Sequence, residues 1–453
     1  MTDDAESMRR LARELAPEVA ALRRDLHRHP ETAFTEYRTA ALAARALLDL
    51  GWAVTMGANA QRPEARLWAP DGELCARERE RAVAQGADPA LVRHMGDGLT
   101  GLWADLPCPH ENAAPDGPLV ALRFDMDALD IQECAGAEHR PAREGFASCR
   151  AGVMHGCGHD GHVALGLGLA RLLTRLRTRL RGTVRLIFQP AEELGDGAGP
   201  MTEAGALDGV DWLLGLHLGM QALRSGELIC GTDTFLATTT FTLDFNGRPA
   251  HAGMAPQEGH NALLAGATAV QNMQAISRHS GGSSRVNIGF FHAGEATNII
   301  AAHARLGGET RGDTSAINDF MMGEVERMAQ ASAAMWGCTC ALRRTGSCPS
   351  AASSPRLTDM VAEEARAMGL FRRITHTAHF QASEDFAWLM NKTQAQGGQS
   401  VYIQLGADRP SGHHTSHFDF DEAVLPAGLE LLARMTARCL RADPRQGSAS
   451  PAV

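Results

Sequence analysis

Lysine is all but missing from this chain of 453 residues: Lys392 stands alone, and arginine supplies nearly all the positive charge. That skew reads as the codon bias of a GC-rich host. Acidic residues outnumber basic ones by 53 to 43, a formal net charge of -10, which argues against a nucleic-acid surface. No apolar run reaches the length of a transmembrane helix. Met1-Thr2-Asp3-Asp4 lacks the apolar core of a signal peptide, so a cytoplasmic protein free of the membrane is expected. The ten cysteines are scattered without a framework spacing, which suggests reduced thiols. There is no C-x-x-C and no second half of a zinc finger, which argues against a structural zinc site. Internal repeats and extended low-complexity segments are also missing. What is present is 44% hydrophobic and 21% charged, the composition of a globular protein with ample core, in a chain long enough for two or three domains.

The densest chemistry lies in Met154-His155-Gly156-Cys157-Gly158-His159-Asp160-Gly161-His162. Imidazole and thiolate are good ligands for zinc and similar divalent ions. Three glycines allow tight turning with φ > 0, so that closely spaced side chains can converge. Leu165, Leu169, Leu172, Leu173, Leu176 and Leu180 then fall on one face, the pattern of a helix. A Gly-rich turn with solvated histidines is the competing reading, and it loses force with Cys and His two apart between two further histidines.

The strands around this loop give it a setting. Leu119–Phe124 is nearly all apolar and ends in Asp125-Met126-Asp127; Val184–Phe188 runs into Gln189-Pro190-Ala191-Glu192-Glu193; Trp212–Leu216 ends at His217. Continuous apolar strands separated by helices predict a mostly parallel sheet flanked by helices, an α/β fold. In such sheets ligands bind at the carboxyl ends of the strands. All three strands carry an acidic or metal-capable residue there. Before them, helices are predicted from Ala5 to His27 and from Thr39 to Leu50. The polar stretch from Gly57 to Gly98 reads as a surface excursion with a helical piece at Leu74–Gln85.

The pattern changes after Gly231. Thr238–Phe245 alternates as a half-exposed strand does. Helices at Asn261–Ser277 and Ala316–Met335 and strands at Val286–Phe291 and Ala304–Glu309 predict an α+β domain inserted into the first. Gly346–Pro355 reads as the return linker. The boundaries are 1–235 for the first part of the α/β domain, 236–346 for the insertion and 347–453 for the second part. A helix at Arg356–Met368, a strand at Val401–Ile403 and a helix at Asp421–Leu440 fill the last part, and the tail after Asp443 reads as disordered.

Cys157, His159, Glu193, His217 and His414 are the candidate ligands for two divalent ions, a set suited to hydrolysis. Glu192 and Glu193 are adjacent, so their side chains diverge; one could bind metal while the other handles the proton of an attacking water. Without a nearby site such a pair is an exposed turn, and His217, His413 and His414 could be satisfied buried histidines. Asp125 and Asp127 could orient ligand histidines or cap the following helix. In the insertion, His251 sits in a Gly/Ala-rich loop, with Asn298 and Arg311 further on. Arg311 is either a solvated charge or a bidentate grip on a carboxylate.

Several stretches together resemble a family. They are His27-Arg28-His29-Pro30-Glu31, Arg123 to Leu129, Gly145 to Cys149, Met154 to His162, Phe188 to Glu193, His251-Ala252-Gly253 with Gly259 to Ala262, Ser383-Glu384-Asp385, and Phe418 to Glu422. In order along nearly the whole chain, they are similar to the metal-dependent amidohydrolases that include aminoacylases, glutamate carboxypeptidases and plant auxin-conjugate hydrolases. The excursion after Gly57 is similar to a subgroup acting on aminobenzoyl-glutamate. The resemblance implies two Mn²⁺ or Zn²⁺ ions bridged by Cys157 and completed by His159, Glu193, His217 and His414. It implies Glu192 as general base, His251 reaching the site of a partner chain to stabilise an oxyanion, and Asn298 and Arg311 holding substrate. The insertion becomes a dimerisation lid, in a homodimer or a heteromer with a related chain. Two departures from the family's pattern stand out. Ala382 replaces the glycine before Ser-Glu-Asp. Ser416 replaces a proline two residues after the last ligand, which leaves His413 and His414 as alternatives; alignment to Phe418 selects His414.

The expected activity is cleavage of the amide between an aromatic acyl group and an acidic amino acid, p-aminobenzoyl-glutamate first and indole-3-acetyl-aspartate or another N-acyl amino acid second. Of a different class would be a non-catalytic member of a heteromeric hydrolase. A cysteine-based redox protein would need a resolving thiol near Cys157, and Cys149 offers no known spacing.

Overall fold

The computed structural model describes residues 2–108 and 117–443; the tail expected to be disordered lies outside them. These residues form two compact units, one from the described parts of 1–233, 352–380 and 388–453, the other from 234–351 with 381–387. The insertion read from sequence as 236–346 thus corresponds to a unit that starts at 234, continues to 351 and also takes in 381–387.

Twelve strands are present among the described residues: β1 (Ala53–Met56), β2 (Leu102–Cys108), β3 (Leu119–Asp125), β4 (Gly182–Gln189), β5 (Trp212–Leu218), β6 (Glu227–Asp233), β7 (Ala237–Asn246), β8 (Ser284–Ala293), β9 (His303–Gly312), β10 (Thr339–Cys348), β11 (Arg373–His379) and β12 (Gln399–Leu405). In the first unit, eight of them order as β1-β2-β4-β3-β5-β12-β6-β11. The four central strands β4, β3, β5 and β12 are all parallel, with Asp125 opposite Gln189 and Gln404 opposite His217. This is the predicted mostly parallel sheet. Its centre is β3 and β5, buried almost throughout, with each large apolar side chain removed from water contributing about 1.5–3 kcal/mol.

Helices cover the sheet. The helix His159–Leu176 is buried nearly all round and packs against Thr2–Arg28 and Leu425–Cys439. Two close approaches need glycine. A Cβ on Gly166 would sit 2.7 Å from Phe124 Cδ2, and one on Gly168 would sit 2.6 Å from Val19 Cγ2. The stretch from Gly57 to Gly98 is less superficial than its polarity suggests. Cys75, Ala82, Val92 and Met95 join the main core, and the Tyr37 hydroxyl donates to Gly96 O at 2.9 Å and accepts from Gly98 N at 2.8 Å.

The second unit is a four-stranded antiparallel sheet, β10-β7-β9-β8, backed by the helices Ala262–Gln274 and Ser315–Met335 over a core that includes Phe241, Leu243, Phe245, Leu306 and Met321. The segment read as a linker from Gly346 begins as strand instead, since β10 runs to Cys348. At the other side β8 is an edge strand, and Phe290 and Phe291 on it are 42% and 36% exposed. No helix among the described residues is long and apolar enough to cross a membrane.

Candidate metal centre

Because β4, β3 and β5 are parallel neighbours, their carboxyl ends share one edge of the sheet, and the polar tips meet there. Asp127 lies just beyond β3. Its carboxylate accepts the backbone N–H groups of both Glu192 and Glu193, at 3.0 Å each, and its main-chain oxygen lies 2.9 Å from His159 Nδ1. Ala191, just before the glutamates, is held at φ 54, a left-handed conformation uncommon for a residue with a side chain. Its N–H is fixed by Glu36 Oε1 at 2.9 Å. Burial, and next the charge of Asp127, push the Glu36 carboxyl up to about 8.

The glycines of the loop do different jobs. Gly158 takes φ 95 ahead of the helix. Gly156 and Gly161 do not have positive φ; Gly161 is needed because a Cβ would meet Phe420 Cζ at 2.6 Å and Leu218 Cδ1 at 2.7 Å.

The donors form overlapping groups, each with ligand atoms within 4.8 Å of one another: Cys157, His159 and His217; Cys157, Glu193 and His414; His159, Glu192 and Glu193. Cys157 is common to the first two. Both buried histidines present the same nitrogen. With Nδ1–H donating to Asp127 O in His159 and to Leu218 O at 3.0 Å in His217, each ring turns Nε2 toward the cluster, the orientation that such backbone bonds impose on metal-binding histidines. His217 Nε2 is 3.4 Å from Cys157 Sγ. His159 Nε2 and Glu193 Oε1 are buried with no hydrogen-bond partner among the described residues. Buried polar atoms of that kind are rare and ask for an occupant, and thiolate, imidazole and carboxylate together suit a divalent transition ion.

Charge agrees with this. Burial opposes a proton on His159, but Asp125, Asp127 and Glu193 outweigh it and raise the imidazole to about 10. A pocket that draws a proton so strongly draws a cation for the same reason. Burial, then His162 and His413, hold His217 well below the usual range, so it is neutral.

His413 and His414 part company here. His413 Nδ1 contacts Arg409 Nη1 and its Nε2 lies 3.1 Å from Leu218 O, so both nitrogens are engaged. His414, at φ 58, brings Nε2 to 3.3 Å from Glu193 Oε2. His162 is likewise fully used. Leu218 N–H donates to its Nε2 at 3.0 Å, and Nδ1 faces Asp125 Oδ1 at 2.5 Å. Asp125 thus braces His162 and contacts Arg123, while lying 3.8 Å from His159 Nε2.

His251, Asn298 and Arg311 belong to the second unit. His251 is exposed, and its Nδ1 accepts N–H bonds from Gly253 and Met254, both 3.1 Å, which places the ring proton on Nε2. Ala252 N–H donates to Asn298 O at 3.0 Å, joining the two loops. Arg311 is bidentate on Glu309, at 2.9 Å from Nε and Nη2.

Sequence reasoning assigned no role to Glu36, His162, Asp196 or Arg123. His162 was visible in the motif. Glu36 and Asp196 carry no local signal, since Glu36 accepts the N–H of Ala191 and Asp196 those of Leu67 and Trp68, all distant in sequence.

The profile of Peptidase family M20/M25/M40 matches residues 121–438. The chain is 40% identical over 430 residues to one of the subunits of the p-aminobenzoyl-glutamate hydrolase of Escherichia coli (strain K12), covering 95% of this chain and 97% of that one. It is 42% identical to the indole-3-acetyl-aspartic acid hydrolase of Enterobacter agglomerans, over 93% and 95% of the two chains. Among solved structures, an aminobenzoyl-glutamate utilization protein from Klebsiella pneumoniae superposes with TM-score 0.81 at 34% identity, covering 96% of this chain and 98% of that one. A dinuclear metal binding peptidase of the M20 family from Bacillus subtilis superposes with TM-score 0.65 at 25% identity, over 94% and 99%.

Asp127→Asn should test the hub of the cluster. The amide would turn a donor toward one of the two N–H groups it now accepts. Affinity for Zn²⁺, measured by competition with a chromophoric chelator, should fall about 10–100-fold in a folded protein; unchanged affinity would show that Asp127 does not organise the donors.

Proposed function

The chain belongs to peptidase family M20/M25/M40, and from that membership we propose that it is a metal-dependent amidohydrolase cleaving the amide between an aromatic acyl group and an acidic amino acid. The observation that carries this reading is the pair of donor groups sharing Cys157, with Glu192 beside them. p-Aminobenzoyl-glutamate, yielding p-aminobenzoate and glutamate, is the first candidate and indole-3-acetyl-aspartate the second. The two relatives named for these substrates are 40% and 42% identical to this chain, and both substrates join an aromatic acyl half to a dicarboxylic amino acid.

Cys157, His159, Glu193, His217 and His414 would hold two divalent ions, Mn²⁺ or Zn²⁺, which supply Lewis acidity toward the scissile carbonyl and toward water. Glu192 takes a proton from the water whose oxygen bonds to the carbonyl carbon. It then delivers that proton to the amide nitrogen as the C–N bond breaks. His251, with its proton on Nε2, is suited to donate to the oxyanion of the tetrahedral intermediate. Asn298 and Arg311 would hold the substrate carboxylate, with Glu309 fixing the plane of the guanidinium. Asp125 and Asp127 brace the cluster from behind.

The aromatic half has support beside Glu192. Asp196 accepts the N–H of Leu67 at 3.0 Å and of Trp68 at 2.9 Å, which brings Trp68 to the turn that carries the glutamates. The indole stacks on Phe34, centroids 6.3 Å apart, and Phe34 clusters with Ala191. Trp68 remains 38% exposed, a ring surface on which an aryl group could stack.

The second unit, residues 234–351 with 381–387, would act as lid and dimerisation domain. The apolar edge strand β8 supports a homodimer. The Escherichia coli relative is named for one of the subunits of its hydrolase, which favours a heteromer with a related chain in a second reading. Free thiols such as Cys75, Cys108, Cys149 and Cys230 suit a reducing cytoplasm.

A panel of aryl- and arylacetyl-amino acids with added Mn²⁺ or Zn²⁺ should give turnover of the glutamate and aspartate conjugates and little of neutral ones. Glu192→Gln should retain its metal content while kcat drops about 10²–10⁴-fold; a near wild-type rate would remove Glu192 from this role. Trp68→Ala should raise KM about 2–10-fold for aryl conjugates, the worth of one aromatic pair, and leave N-acetyl-glutamate hydrolysis unchanged. Equal effects on both would place the indole outside the acyl pocket. For shared sites, mixing inactive His251→Ala chains with inactive Glu192→Gln chains should restore activity toward half of wild type per hybrid dimer, whereas a dead mixture despite proven exchange of chains rejects the role of His251 in its partner's site.

A further inference from the structure

Three donors of different chemistry meet outside the cluster centred on Cys157. Cys134 Sγ, a carboxylate oxygen of Glu138 and a ring nitrogen of His417 lie within 4.8 Å of one another. Cys134 Sγ is 3.3 Å from Glu138 Oε1, and His417 Nε2 is 3.9 Å from the same oxygen. With Zn–S near 2.3 Å and Zn–N or Zn–O of roughly 2.0–2.2 Å, tetrahedral geometry puts sulfur and oxygen about 3.6 Å apart and nitrogen and oxygen about 3.4 Å apart. The two separations lie within about 0.5 Å of these values, which small side-chain rotations would close.

We propose that Cys134, Glu138 and His417 form a separate binding site for a zinc-class divalent cation, with water completing the coordination. The local chemistry prepares each ligand. Gly136 N–H donates to Cys134 Sγ at 3.3 Å, which fixes where the sulfur sits. The thiol donates its proton to Glu138, so the proton occupies the space between the two ligand atoms. On binding, that proton leaves to solvent, and sulfur–metal and oxygen–metal bonds take its place; no oxidation is involved. His417 Nδ1 lies 3.0 Å from Ser416 Oγ. With Nδ1–H donating to the hydroxyl, Nε2 keeps its lone pair toward Glu138. The edge-to-face contact with His139, centroids 5.9 Å apart, steadies the ring.

Ser416 is one of the two departures from the family pattern, and the hydrolytic chemistry makes no use of it. A proline there would have no hydroxyl to orient His417. Ser416 also accepts the Cys134 N–H through its carbonyl at 2.9 Å, so the two segments that supply the ligands are already tied by their backbones. A cation would cross-link the loop that follows β12, three residues beyond His414, to the segment around Cys134. This site stands apart from the reading of the catalytic centre and holds whether or not the proposed substrates are correct.

The test uses the full-length protein and Zn²⁺ alone. In a zinc-buffered equilibrium measurement, wild type should bind one more zinc per chain than Cys134→Ser or His417→Ala, with basal hydrolytic activity of the variants unchanged. Saturating zinc should slow iodoacetamide alkylation of Cys134, followed by peptide mass mapping, at least about tenfold in wild type, a ligand thiolate being removed from reaction. His417→Ala should lose that protection, and Ser416→Pro should weaken zinc binding at this site. Equal zinc content in wild type and Cys134→Ser overturns the proposal. So does unchanged alkylation of Cys134 in wild-type protein at saturating zinc, a result that depends on no variant.

Discussion

One carboxylate organises the centre. Asp127 accepts the N–H groups of Glu192 and Glu193 while its own carbonyl sets the tautomer of His159. It can do so because β3 and β4 are parallel and in register, Asp125 opposite Gln189: residues two to four beyond that pair emerge side by side at the same edge. The left-handed backbone at Ala191 costs of order 1–3 kcal/mol. It is over-determined by Glu36 on one side and Asp127 on the other, so the chain turns where the two glutamates must diverge. Strain here serves to aim side chains, and the surrounding hydrogen bonds keep it from relaxing.

Beneath the loop lies a buried charge network that ties distant parts of the first unit together. Asp160, in the first turn of the helix behind Cys157, pairs with Arg23 at 2.8 Å, and Arg23 also meets Asp419 and Glu422. His27 lies between Asp160 and Glu133, at 2.8 and 2.9 Å from its two nitrogens. Burial and Arg23 oppose a charge on His27, yet the two carboxylates prevail and raise its pKa; an imidazole with an acceptor at each nitrogen donates from both. Buried ions without partners cost several kcal/mol each, so this network holds the N-terminal helix and the segment after Phe418 in fixed places around the loop.

How much of this the sequence discloses depends on whether a structure's cause is local. The strands β3, β4 and β5 were legible because burial on both faces leaves an uninterrupted apolar run with polar tips. The helix after the Cys-x-His pair was legible from its leucine spacing. β11, Arg-Ile-Thr-His-Thr-Ala-His, was not, since an exposed edge strand has no burial to record. β10 escaped for a related reason: its last residues, Gly346 to Cys348, have the composition of a loop, and only pairing with β7 makes them strand. The excursion after Gly57 looked superficial because its few buried residues are small or isolated. In the centre, residue types announced the candidate donors, but roles that depend on contact did not show. His162 resembles its neighbours in sequence, yet both its nitrogens are spent on Asp125 and Leu218. His413 and His414 differ only in where the backbone, at φ 58 on the second, directs them.

The order of strands in the first sheet departs from their order along the chain at one telling place. β12, among the last elements in sequence, lies between β5 and β6. On a ribosome, β5 is complete nearly two hundred residues before β12, so the side of β5 away from β3 waits for its partner over the whole interval. The contiguous stretch of the second unit, 234–351, is synthesised during that wait and contains its own sheet and core. Early in its life the molecule therefore has most of a small domain attached to an open half-sheet with sticky edges. The central sheet closes only with β12, which brings in the loop that carries His414.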